Sequence, residues 1–135
     1  MNRSQIGTDR FTEGYNCAQS VFSALAEGSD ISVEQAIRIA GNFGGGIVDS
    51  GKTCGAVTGA FMALGLLHGN ASPGDYRKKQ ELRDKTIEFL NRFEKDFGSL
   101  ECSFLKNQFP DPSDPHKNCQ LYVGKAIEIV EEISQ

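Results

Sequence analysis

Ser32-Val33-Glu34-Gln35-Ala36-Ile37-Arg38-Ile39-Ala40-Gly41-Asn42-Phe43-Gly44-Gly45-Gly46-Ile47-Val48-Asp49-Ser50-Gly51-Lys52-Thr53-Cys54 is the stretch that decides the fold class. Its second half, Gly46 to Thr53, satisfies the phosphate-loop pattern G-x-x-x-x-G-K-[ST] letter for letter. A phosphate loop needs a buried strand before it. Its backbone N–H groups then surround the phosphates, while the Lys and the hydroxyl reach the outer phosphates and Mg²⁺. The first half supplies a helix instead. Ser32 and Gln35 have capping-box spacing, and Val33, Ala36, Ile37 and Ala40 repeat as one helical face. Residues 41–53 are therefore expected to be loop with no strand before Gly46. Lys52 is then solvated, and nucleotide binding through Gly46–Thr53 ranks third among the functional readings.

Outward from this loop the spacing stays helical. Phe11, Tyr15, Ala18, Phe22 and Leu25 form one face, closed by Gly28-Ser29-Asp30. After the loop, Thr53 is the expected N-cap of a helix carrying Val57, Phe61, Leu64 and His68. Ser72-Pro73-Gly74-Asp75 opens a long helix with Leu82, Thr86, Phe89, Leu90, Phe93 and Phe97 inward, and Gly98 ends it. Leu100 to Phe109 is a short irregular or helical piece. Pro110, Pro112 and Pro115 mark a loop. The last helix starts at Asp114-Pro115, with Cys119, Tyr122, Val123, Ala126, Ile127, Val130 and Ile133 as its stripe. The prediction is an all-α, single-domain, irregular bundle of about five helices over residues 1–135.

Composition agrees with a soluble globular domain: 135 residues, 39% hydrophobic and 24% charged, with a net charge of −4. An acidic chain lacks the clustered Lys and Arg that phosphate backbones demand, so nucleic acid is not an expected partner. The longest apolar stretch, Gly55 to Leu67, is too short and too rich in glycine and polar residues to span a bilayer. The N-terminus shows no secretory pattern, so a cytoplasmic location is expected, where thiols are kept reduced.

The cysteines carry the chemistry: Cys17, Cys54, Cys102 and Cys119. None forms C-x-x-C, so zinc-ribbon and thioredoxin-type motifs are excluded by spacing. Cys54 sits at a helix start, where unpaired N–H groups and Lys52 favour a thiolate, so it is expected to titrate below the ~8.5 of an ordinary thiol. Gly55 and Gly59 are four apart, a smooth face on which another helix can pack closely. His116 lies three before Cys119 and can share its face. His68 reads as a terminal cation near a helix dipole, without chemistry. Cys17 and Cys102, taken singly, read as small hydrophobes.

Gly14-Tyr15-Asn16-Cys17-Ala18-Gln19, then Gly44-Gly45-Gly46, then Cys54-Gly55-Ala56-Val57-Thr58-Gly59 and two later cysteines resemble the C_GCAxxG_C_C family of redox-active proteins over nearly the whole chain. The resemblance implies that the four family cysteines fall on Cys17, Cys54, Cys102 and Cys119, and that the chain is redox-active without naming a substrate. A similar module is associated with a cytochrome in some bacteria, which keeps an iron–sulfur or other metal role open. Covalent haem is not expected, because no C-x-x-C-H is present.

The leading expectation is a thiol/disulfide redox protein, of which a thiol–disulfide oxidoreductase is the enzymatic form. Cys54 is the expected attacking thiolate and one of the others resolves; no cofactor is needed. The alternative is a metal-binding electron carrier or sensor, with an iron–sulfur cluster or zinc held by Cys17, Cys54, Cys102 and Cys119. The redox partner is not given by the sequence, and a homo-oligomer stays open. Both readings require the four cysteines to converge. Cys102 and Cys119, 17 positions apart, are the natural first pair, worth roughly 3 kcal/mol if bridged without strain. Cys17 and Cys54 are the complementary pair.

Overall fold

The computed structural model describes residues 2–108, 114 and 117–135. Among them are seven helices: α1 Arg3–Glu13, α2 Cys17–Leu25, α3 Val33–Ile39, α4 Gly55–His68, α5 Tyr76–Phe97, α6 Cys102–Lys106 and α7 Lys117–Ile133. No strand occurs among the described residues; the only β-type pairing among them is an isolated antiparallel bridge, Thr53 with Glu101. The all-α class holds, and two differences account for seven helices instead of about five. The single helix expected from Phe11 to Leu25 breaks at Gly14, whose φ of 115° closes α1 with its N–H on the Arg10 and Phe11 carbonyls. Asn16 and Gln19 then open α2 with a reciprocal capping box. The second difference is α6, five residues long, within the piece expected to be irregular or helical.

Two N-caps differ from the expected Thr53 and Ser72. The N-cap of α4 is Cys54 rather than Thr53, and that of α5 is Asp75, whose side chain accepts from the Lys78 N–H. Ser32 and Gln35 do form the capping box of α3. Pro110, Pro112, Pro115 and His116 lie outside the described residues.

Helix α2 is the hub, packed on α1, α3, α4 and α7, while α7 also meets α4, α5 and α6. The buried apolar residues form one continuous cluster. Phe93 and Phe97 of α5 meet the Tyr122 ring with centroids 6.1 and 4.9 Å away. The α2–α4 contact is close because α4 has no side chain there. A Cβ at Gly59 would stand 2.8 Å from the Ala18 carbonyl oxygen, and one at Gly55 would stand 3.0 Å from the Ala18 nitrogen. The small residues of α4 thus set helix spacing, and the same contact lays the start of α2 against the start of α4. Among the described residues no helix is long and apolar enough to cross a membrane.

Candidate functional site: a four-cysteine cavity

The loop before Cys54 is a left-handed turn. Gly45, Gly46, Ile47, Val48 and Asp49 have φ of 63°, 73°, 66°, 52° and 58°. For residues with a side chain this costs about 1–2 kcal/mol each, so the turn persists only because its surroundings over-determine it. Every N–H from Ile47 to Lys52 bonds a backbone carbonyl: Phe43, Asn42, Gly44, Ile47, Gly45 and Gly46 in order. The Ser50 hydroxyl adds a bond to the Gly46 carbonyl at 2.7 Å. These are the amides a phosphate loop would turn toward its anion. They are occupied, and a helix leads into the glycines, so nucleotide binding through Gly46–Thr53 has no physical basis here.

Beyond the turn, residues 51–54 run antiparallel to residues 100–103. The Cys54 N–H donates to the Leu100 carbonyl at 2.8 Å, and the Cys102 N–H to the Lys52 carbonyl at 2.6 Å. Both bonds flank the Thr53–Glu101 bridge. In that register Cys54 and Cys102 are diagonal neighbours on one face. Gly46 makes room for the second of them, since a Cβ there would stand 2.6 Å from the Cys102 Cβ. At the start of α2, the Asn16 amide donates to the Gly41 carbonyl at 3.1 Å and the Gln19 amide to the Ile37 carbonyl at 3.1 Å. The glycine loop is therefore tied to the helix that begins with Cys17. Across from it, Cys119 lies in the first described turn of α7.

Four helices thus bring Cys17, Cys54, Cys102 and Cys119 to the wall of one cavity of about 490 Å³. All four are thiols in this structure. Cys17 is hydrogen-bonded to Cys119, and this contact is the largest influence on its protonation, ahead of burial. Both hold the Cys17 thiol well above its ordinary range, with charge on Cys119, Cys54 and Cys102 adding to the effect. Cys17 thus faces Cys119, a neighbour that chain separation did not single out.

The expectation for Cys54 is reversed. Burial pushes its thiol up to about 12; the Ala56 and Val57 N–H groups at the helix start pull the other way and lose. Its residue is 4% exposed, and desolvating a thiolate there outweighs a helix-end dipole. Lys52 is exposed and is not among the charges acting on Cys54. Burial also raises Cys102, opposed by Lys106. His68 differs too: burial, then Lys85 and Lys78, lower its pKa, so it is neutral at pH 7 rather than a terminal cation.

Tyr122, which the sequence marks only as core, is 1% exposed and also lines the cavity. Its hydroxyl lies 2.8 Å from the Leu105 carbonyl and 2.9 Å from Gln108 Oε1, joining α7 to the end of α6. Burial pushes it up to about 12, with charge on Cys54 and Cys119 contributing. The signal in the sequence is its place three residues after Cys119 on the same stripe.

Among the described residues no three His, Cys, Asp or Glu side chains are grouped to hold a metal ion. The four cysteines line one common space.

A family model described as "Putative redox-active protein (C_GCAxxG_C_C)" matches residues 15–133, a span containing all four cysteines. A curated relative from Archaeoglobus fulgidus, named only as an uncharacterized protein, is 33% identical over 126 residues, covering 87% of this chain and 83% of that protein. No solved structure matches the chain. With the glycine loop, the close-packed Gly55 and Gly59 and the four thiols in one cavity wall, the chain belongs to the C_GCAxxG_C_C family of redox-active proteins.

Proposed function

We propose that this protein is a thiol/disulfide redox protein whose working pair is Cys17 and Cys119. The observation that carries the reading is the direct hydrogen bond between these two thiols inside the cavity wall. Oxidation joins the two sulfurs and releases two protons and two electrons, which a partner disulfide accepts as it becomes two thiols. Cys17 keeps its proton and donates it toward Cys119. A hydrogen bond to the charged form favours that form, so Cys119 is the sulfur that attacks and Cys17 the one that resolves. Cys54 and Cys102 are the second, flanking pair.

A redox titration of the protein and its Ser variants tests this assignment. Cys17→Ser and Cys119→Ser should each remove the lowest-potential two-electron transition, and Cys102→Ser should keep it. A transition that survives Cys17→Ser and Cys119→Ser overturns the assignment.

A further inference from the structure

The contact between Cys17 and Cys119 has a second chemical use. The two thiols are hydrogen-bonded, both are half-buried, and both line the same cavity. Cys17 is the first residue of α2, held by the Asn16–Gln19 capping box. Cys119 stands on α7, which packs on α2. Donors carried by packed helices are spaced before a ligand arrives.

The number of ligands within reach decides which ion such a pair suits. Thiolate sulfur is a soft ligand, taken by Cu(I), zinc and iron–sulfur clusters in preference to the hard cations that want oxygen. A structural zinc site takes four protein ligands, and so does a cluster. Among the described residues no group of three His, Cys, Asp or Glu is assembled to hold an ion. Cys54 and Cys102 are kept on their own strap, where their N–H groups bond the Leu100 and Lys52 carbonyls. Cu(I), a soft closed-shell ion, is satisfied by two thiolates on opposite sides. Burial favours this occupant. Two bare thiolates side by side repel and lose hydration. A cation between the sulfurs cancels one of the two charges and deprotonates its ligands outright.

We propose that Cys17 and Cys119 form a two-coordinate site for Cu(I). The site needs only the contact of these two sulfurs and no disulfide chemistry. Two thiols and one Cu(I) become a bis-thiolate complex, with two protons released to water. Copper keeps its oxidation state throughout.

The test adds Cu(I), as its acetonitrile complex, to the reduced protein without oxygen and against the competing chelator bicinchoninate. One ion per chain should leave the chelator, and X-ray absorption at the copper edge should show two sulfurs and no third ligand. In the same unsubstituted protein, bound Cu(I) should shield Cys17 and Cys119 from alkylation, read peptide by peptide. Cys17→Ser and Cys119→Ser should each weaken binding by more than about 100-fold, beyond the loss that residues outside the coordination shell produce. Cys54→Ser and Cys102→Ser should stay within about tenfold of the unsubstituted protein. No uptake, a shell of three or four ligands, Cys17 or Cys119 left unshielded, or equal losses in all four variants would overturn the site. Uptake, coordination and shielding are read on the unsubstituted protein, so a variant that fails to fold leaves the result standing. Linkage of Cys17 to Cys119 under oxidation is a separate measurement, and either can fail without the other.

Discussion

Replacing Gly59 with Ala tests whether the glycines of α4 set the geometry that brings the cysteine-bearing helix ends together. The new Cβ would stand 2.8 Å from the Ala18 carbonyl oxygen, 3.1 Å from the Val21 Cβ and 3.2 Å from the Ala18 Cα. That is roughly half an ångström inside van der Waals contact, and most of the opposing atoms are backbone, so α2 must move as a body. Overpacking of this kind costs about 1–3 kcal/mol. Ala also raises helix propensity by about 1 kcal/mol, which hides part of the effect. Gly65→Ala separates the two. Gly65 lies on the same helix, and a Cβ there would meet nothing within 4 Å, so that change should stabilise by about 0.5–1 kcal/mol. In urea denaturation Gly59→Ala should fall about 1–3 kcal/mol below Gly65→Ala. Because Cys17 adjoins Ala18, it should also become easier to alkylate. Two variants of equal stability would refute the idea that α2–α4 contact is limited by the missing Cβ.

Other perturbations follow from the same geometry. Cys54 should show an alkylation midpoint near 12; a midpoint below about 8.5 would mean that the helix end outweighs burial. The raised thiol also affects stability. The folded state keeps a proton that the unfolded state loses, so its contribution is fully present below the ordinary value of 9.0 and is lost as pH rises to about 12. About 4 kcal/mol is at stake for Cys54, and urea midpoints of the protein and Cys54→Ala between about pH 8 and 11 should converge as pH rises. Tyr122→Phe leaves the Leu105 carbonyl and Gln108 without their partner, so thermal or urea unfolding should report a loss of about 1–3 kcal/mol. Asn16→Ala removes the α2 cap and the bond to Gly41, costing about 1–2 kcal/mol by the same assay.

Periodicity made the helices legible because each buries one face; the stripes of Phe89, Phe93 and Phe97 and of Val123 to Ile133 are where their spacing puts them. The break between α1 and α2 was written in Gly14 and the Asn16–Gln19 capping box. It was hidden because Phe11, Tyr15 and Ala18 continue a helical spacing across it. Gly55 and Gly59 were readable as a close-packing surface. What they pack against is a long-range matter, and so are the shared cavity's contacts: the approach of Cys119 to Cys17 depends on how α2 and α7 cross, which chain separation does not encode. Cys54 shows a further limit. Its helix-start position was legible, but its pKa turns on how completely the other helices bury it, and burial acts in the opposite direction. The left-handed run from Gly45 to Asp49 had no sequence signal at Ile47 and Val48, residues that resist positive φ. Only the packed surroundings hold them there.

The most direct measurement is disulfide mapping of the protein at equilibrium in a graded thiol/disulfide buffer. Peptides are identified by mass after acidic quenching, which freezes exchange. The account predicts that the first linkage to form, at the most reducing poise, joins Cys17 to Cys119, and that any second linkage joins Cys54 to Cys102. A first linkage between Cys102 and Cys119, or between Cys17 and Cys54, would contradict it, as would four thiols that stay reduced in the most oxidising buffer.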